Sequence, residues 1–136
     1  MKPQIKLLVL AITGTVLAAL LATTASAANE AKASAAKVAM QKFHKAPKGV
    51  DPTCKKISEG KASKEELEQV LAAYRVMAAE KPVRGDEASW KEKCAALIKA
   101  TESLVSGKPE GVNQYKAAVN CKGCHSVHKP EAPKAK

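Results

Sequence analysis

The stretch from Ser63 to Pro82 narrows the architecture more than any other part of the chain. Ser63-Lys64-Glu65-Glu66 holds both halves of a capping box. The serine hydroxyl can accept from a backbone N–H three residues on, and the glutamate there can reach back. Leu67, Val70, Leu71, Tyr74, Met77 and Ala78 then recur at helical spacing until Pro82 closes the run. Such an apolar stripe must be buried against another element, and three further segments offer matching stripes. Residues Asn29 to about Lys45 place Ala36, Ala39, Met40 and Phe43 on one side with Val38 beside them, and Pro47, Lys48 and Gly49 end the element. A helix starting at Asp86 carries Trp90, Cys94, Leu97, Ile98, Thr101, Leu104 and Val105 and stops at Gly107 and Pro109. The last starts near Glu110 or Gly111, turns Val112, Tyr115, Ala118 and Val119 inward, and holds the cysteine-containing stretch in its final turns. Asp51-Pro52, an N-cap followed by proline at the first helical position, predicts a short helix to about Glu59, stopped by Gly60, with Cys54 and Ile57 inward. The expected fold is all-α: an antiparallel four-helix bundle with a short extra helix between its first and second members. Abundant alanine, no β-branched runs, and only Phe43, Tyr74, Trp90 and Tyr115 as aromatics suit closely packed helices.

The chemistry is concentrated in Cys121-Lys122-Gly123-Cys124-His125. This is C-x-x-C-H, the attachment signature of a c-type haem. Two thiols three positions apart add to two vinyl groups of one haem, and the imidazole that follows binds the iron from the proximal side. Competing readings explain less. A thioredoxin-like redox pair belongs near a βαβ pattern, which is missing here. A zinc site needs a second, suitably spaced ligand pair, and only His128 follows. A Cys121–Cys124 disulfide would leave the histidine unexplained. The cofactor expected is one covalent haem c.

The N-terminus reads as a leader. Lys2 and Lys6 precede an apolar run from Leu7 to Leu21, and Ala25-Ser26-Ala27 is a small-x-small cleavage site. The apolar run is short for a span of about 20 residues, so an uncleaved anchor is the weaker reading. Export to the periplasm or an equivalent compartment is expected, with no membrane span after cleavage. Removing 27 of 136 residues leaves 109, one domain. The organisation expected is a signal peptide over 1–27, a monohaem bundle over 28–128 and a disordered tail over 129–136. Cleavage also lowers the net charge from +10 to +8. Two readings fit a surface so basic: a solvated lysine shell, or steering of the domain toward an acidic redox partner or an anionic surface. Nucleic acid is not the expected partner of an exported chain that lacks an aromatic-interleaved basic motif.

A haem motif near the C-terminus, on the fourth helix of a bundle, resembles the class II c-type cytochromes, the cytochrome c-prime group. The likeness spans essentially the whole mature chain and is specific at Cys121, Cys124 and His125. Met40-Gln41-Lys42-Phe43-His44-Lys45, Cys54-Lys55-Lys56, Gly60-Lys61-Ala62-Ser63, Lys81-Pro82, Gly85-Asp86 and Ser89-Trp90-Lys91 are similar to small monohaem class II cytochromes of planctomycetes. Anammox members of that group include a heterodimeric, low-potential cytochrome with His and Cys axial ligands that binds diatomic gases. The resemblance implies pairing through the first two helices, as a homodimer or with a different chain.

The second axial position stays open at this point. Cys54 sits where it could close over the haem. As a thiolate, favoured by Lys55 and Lys56, it would depress the potential. The competing use is a disulfide with Cys94. Met40 would raise the potential as a ligand, or simply fill the core. His44 would give a bis-histidine haem, but between Lys42 and Lys45 it reads more readily as a surface residue. A vacant site near Met40 and Phe43 is the last alternative. The resemblance ranks Cys54 first. Phe43, Trp90 and Tyr115 are the expected haem-packing aromatics. An electron carrier is the leading function and an NO- or CO-binding protein the alternative. Enzymatic activity such as a peroxidase is not expected, because no distal Arg/His pair stands ready for acid–base work.

Overall fold

Side-chain caps decide where most of the helices begin. In the structure, a computed structural model describing residues 33–132, every regular element among the described residues is a helix. The leader 1–27 and the tail residues 133–136 lie outside that range. Helix α1 covers Ala35–Phe43, α2 Thr53–Ser58, α3 Lys64–Ala79, α4 Glu87–Val105, α5 Gly111–Ala118 and α6 Cys121–His128. Ser34 caps α1 by accepting from the Lys37 N–H at 3.3 Å. The capping box of α3 is complete, with Ser63 Oγ and the Glu66 N–H 3.2 Å apart and Glu66 Oε2 and the Ser63 N–H 2.9 Å apart. Asp86 caps α4 through the Ser89 N–H at 2.7 Å. Each such cap contributes about 1 kcal/mol.

Three expected boundaries are corrected. Helix α1 starts at Ala35, because the Ser34 backbone is extended and its hydroxyl already serves as the cap; Asn29 lies outside the described residues. Pro52, and not Asp51, occupies the N-cap of α2, without a side-chain bond, while Asp51 pairs with Lys55 at 2.6 Å. Most consequential, the last predicted helix is two. α5 stops at Ala118, Val119 turns out of helical geometry with ψ 54°, and Asn120 starts α6 by accepting from the Gly123 N–H at 2.8 Å. The C-x-x-C-H run therefore opens a helix of its own.

The helices share one core. Phe43, Ile57, Val70, Tyr74, Trp90, Cys94, Leu97 and Tyr115 are buried together, and Met40, Leu104, Ala118, Val119 and Cys124 pack against them. Burying a large apolar side chain contributes about 1.5–3 kcal/mol relative to exposure. α3 packs along α4, with the start of α4 bound to the end of α3 through Trp90 Nε1–H donating to the Glu80 carbonyl at 3.0 Å. Arg75 reaches Glu102 at 2.7 Å further along the same pair. The two helices therefore run antiparallel. α1 lies on α3, α5 on α4, α2 on α5, and α6 on α4. Among the described residues no helix is long and apolar enough to cross a membrane.

Candidate functional site

The first turn of α6 holds both motif thiols. Cys121 is exposed, Cys124 half-buried and His125 exposed. All four cysteines are free. The Cys54–Cys94 bridge weighed from the sequence is not formed, and the two thiols have different neighbours. Burial first, and then the neighbouring Cys121, raise the Cys54 pKa. Burial first, and then Cys124, push Cys94 up to about 11. The motif thus lies between α2 on the Cys121 side and α4 on the Cys124 side.

The environment of Cys54 favours the thiol over the thiolate, against the effect expected of Lys55 and Lys56. The lysine charges are already engaged. Lys55 pairs with Asp51 at 2.6 Å and Glu59 at 3.8 Å, and Lys56 with Glu66 at 2.8 Å.

His44 is not the surface residue its neighbours implied. It is the C-cap of α1, half-buried, with Nε2 2.9 Å from the Tyr74 hydroxyl. Burial, and then the charge of nearby His125, lower its pKa to about 4. The Tyr74 hydroxyl lies 2.7 Å from that of Tyr115, and both tyrosines are fully buried. Burial raises both tyrosine pKa values, Tyr115 to about 12, so both stay protonated at ordinary pH. A buried polar line therefore joins α1, α3 and α5. Met40 is half-buried one turn before His44 and packs against the core, and Phe43 is buried.

The far end of α6 is anchored by His128, which lies outside the C-x-x-C-H run. His128 is 3% exposed. Its Nδ1 is 2.9 Å from the Arg84 carbonyl and its Nε2 3.2 Å from Ser89 Oγ, and its ring meets Trp90 edge-on at 5.3 Å. Trp90 is thereby committed to Glu80 and His128. The structure gathers Cys54, His44, Tyr74 and Tyr115 on one side of the motif, and Cys94, Trp90 and His128 around its other side.

The donor set is of the kind a c-type haem takes: two free thiols and a following exposed imidazole on one short helix. Among the described residues no group of three or more His, Cys, Asp or Glu side chains is placed to hold one ion. The signals that could have revealed the rest were faint. Asn120 three residues before Gly123 was an N-cap pattern, whereas Tyr74 and Tyr115 looked like ordinary stripe residues. Compared with protein-family models, curated proteins and solved structures, the chain matches none.

Proposed function

We propose that this chain is an exported monohaem c-type cytochrome of the class II kind, carrying single electrons. In this reading α1, α3, α4 and the broken α5–α6 arm form a four-helix bundle, with α2 as the extra helix. The observation that carries it is the C-x-x-C-H run in the first turn of a capped helix, with both thiols free and further sulfur and imidazole groups close by.

The haem supplies one-electron chemistry at its iron. The chain's own residues bind and tune it. The S–H groups of Cys121 and Cys124 would each add across one vinyl group, leaving two thioether bonds. His125 would bind iron through a ring nitrogen. Cys54, on giving up its proton, is the leading second ligand and would lower the potential; Met40 and His44 are the alternatives. Phe43, Trp90 and Tyr115 would supply apolar surface. The basic surface would draw in an acidic redox partner, giving an electron-exchange rate that falls with added salt. Pairing through bundle helices, with itself or a second chain, belongs to the same reading.

A gas-binding role for NO or CO is the second reading. It requires a sixth position that is vacant or held by a ligand the gas can displace. Carbon monoxide added to the reduced protein would then shift the Soret band, and an unchanged band at millimolar gas would exclude the role.

The first test is a pyridine haemochrome spectrum with the intact mass of the exported protein. One covalent haem, lost when Cys121 and Cys124 are replaced by Ala, is expected; a haem-free wild type overturns the reading. Electron paramagnetic resonance of wild type beside Cys54→Ser then assigns the sixth ligand. A low-spin thiolate signal that disappears in the variant identifies Cys54, and identical spectra exclude it.

A further inference from the structure

The reading above leaves the buried pair Tyr74 and Tyr115 without a role, and their hydrogens have only one consistent arrangement. The Tyr115 hydroxyl is buried with its residue 0% exposed, and among the described residues its one hydrogen-bond partner is the Tyr74 hydroxyl at 2.7 Å. Its proton must therefore go to the Tyr74 oxygen, since any other direction leaves a buried donor without an acceptor. Tyr74 is equally buried, and its own proton has one acceptor left, His44 Nε2 at 2.9 Å. An imidazole that accepts at Nε2 is neither a cation nor the Nε2–H tautomer. It carries its proton on Nδ1.

We propose that Tyr74 and Tyr115 are a positioning pair that locks His44 as the Nδ1–H tautomer, so that His44 borders the haem site as a hydrogen-bond donor and is withheld from the iron. The second half rests on the haem reading; the first stands without it. Nε2 is occupied by the Tyr74 proton and Nδ1 by its own, so neither nitrogen has a free lone pair. Ligation through Nε2 would first have to break the Tyr74 bond and strand one buried hydroxyl proton, and ligation through Nδ1 would first have to remove the proton it carries. The pair therefore selects against nitrogen at the sixth position and leaves it to sulfur or to an added gas.

The test is long-range ¹H–¹⁵N correlation of the histidine rings in the ¹⁵N-labelled, reduced holoprotein, beside Tyr74→Phe and Tyr115→Phe. His44 is expected to show a protonated Nδ1 and an unprotonated Nε2 in wild type and in Tyr115→Phe, where Tyr74 still donates. In Tyr74→Phe the pattern shifts toward Nε2–H. A protonated Nε2 in wild type, or a tautomer indifferent to Tyr74→Phe, overturns the proposal. Should Tyr74→Phe fail to fold, the wild-type and Tyr115→Phe patterns decide. Electron paramagnetic resonance of oxidised His44→Gln is expected to match wild type, and a bis-imidazole signal lost in that variant overturns the second half. Absence of covalent haem by pyridine haemochrome would refute the cytochrome reading alone, because the tautomer is then read in the haem-free protein.

Discussion

The side-chain oxygen of Asn120 accepts the backbone N–H of Gly123 at 2.8 Å, and this bond sets the start of the helix that carries the motif. A Cβ on Gly123 would come within 2.8 Å of the Asn120 side chain. The two positions are therefore coupled. Asn120→Ala is expected to cost about 1 kcal/mol and to speed amide exchange in the first turn of α6, while Asn120→Asp keeps protection. Gly123→Ala should displace the cap. Combined with Asn120→Ala it should add little further loss, because the side chain it collides with is gone. Fully additive losses in urea unfolding would show that the cap and the glycine act independently.

The buried tyrosine pair makes an asymmetric prediction for stability. Tyr74→Phe removes the acceptor of Tyr115 and leaves that hydroxyl buried without a partner. The expected loss is about 1–3 kcal/mol. Tyr115→Phe removes a donor only and leaves the Tyr74–His44 bond intact, so a smaller loss of about 1 kcal/mol is expected. The double variant should be no less stable than Tyr74→Phe alone, because it removes the stranded hydroxyl too. Equal single losses from chemical denaturation would contradict the assigned bond direction.

The caps and stripes of α3 and α4 were legible because their signals are local. Ser63 with Glu66, and Asp86, act within one turn, and the apolar spacing fixes the buried face. The break between α5 and α6 was not read, since Val112, Tyr115, Ala118 and Val119 keep helical spacing up to the turn and no proline or glycine interrupts them. The motif residues were readable from their order alone. Their neighbours were not, because adjacency of Cys54 to Cys121, or of Cys94 to Cys124, is set by packing between distant segments. His44 misled for a related reason. Its flanking lysines point to solvent, yet the C-cap position turns its ring toward Tyr74 on another helix.

His128 tests whether the far end of α6 is held by packing or by the motif itself. The ring fills a site between Arg84, Ser89 and Trp90, where a Cβ on Gly85 would come within 2.8 Å of its Nδ1. His128→Ala would open a cavity and free the Arg84 carbonyl, for a loss of about 2–3 kcal/mol. Amide exchange should rise at the C-terminal end of α6 and around residues 84–90. In the cytochrome reading the covalent haem content stays unchanged, since His128 is outside C-x-x-C-H. A haem-free His128→Ala variant would instead assign this histidine to attachment.

Acid should weaken the fold through His44. In the unfolded chain its imidazole takes up a proton near pH 6.5; in the folded protein, buried against Tyr74 and close to His125, it does so only at about 4. Between those values the unfolded state binds more protons, so the free energy of unfolding falls as the pH falls. The contribution is fully present above about pH 6.5 and is gone below about pH 4. A shift of this size corresponds to about 2–3 kcal/mol once residual solvent contact is allowed for. His44→Gln keeps an acceptor for the Tyr74 hydroxyl but cannot take up the proton. Its denaturation midpoint should therefore stay nearly level from pH 7 to 5, while that of the wild type drops. Parallel pH profiles would place the acid sensitivity outside His44.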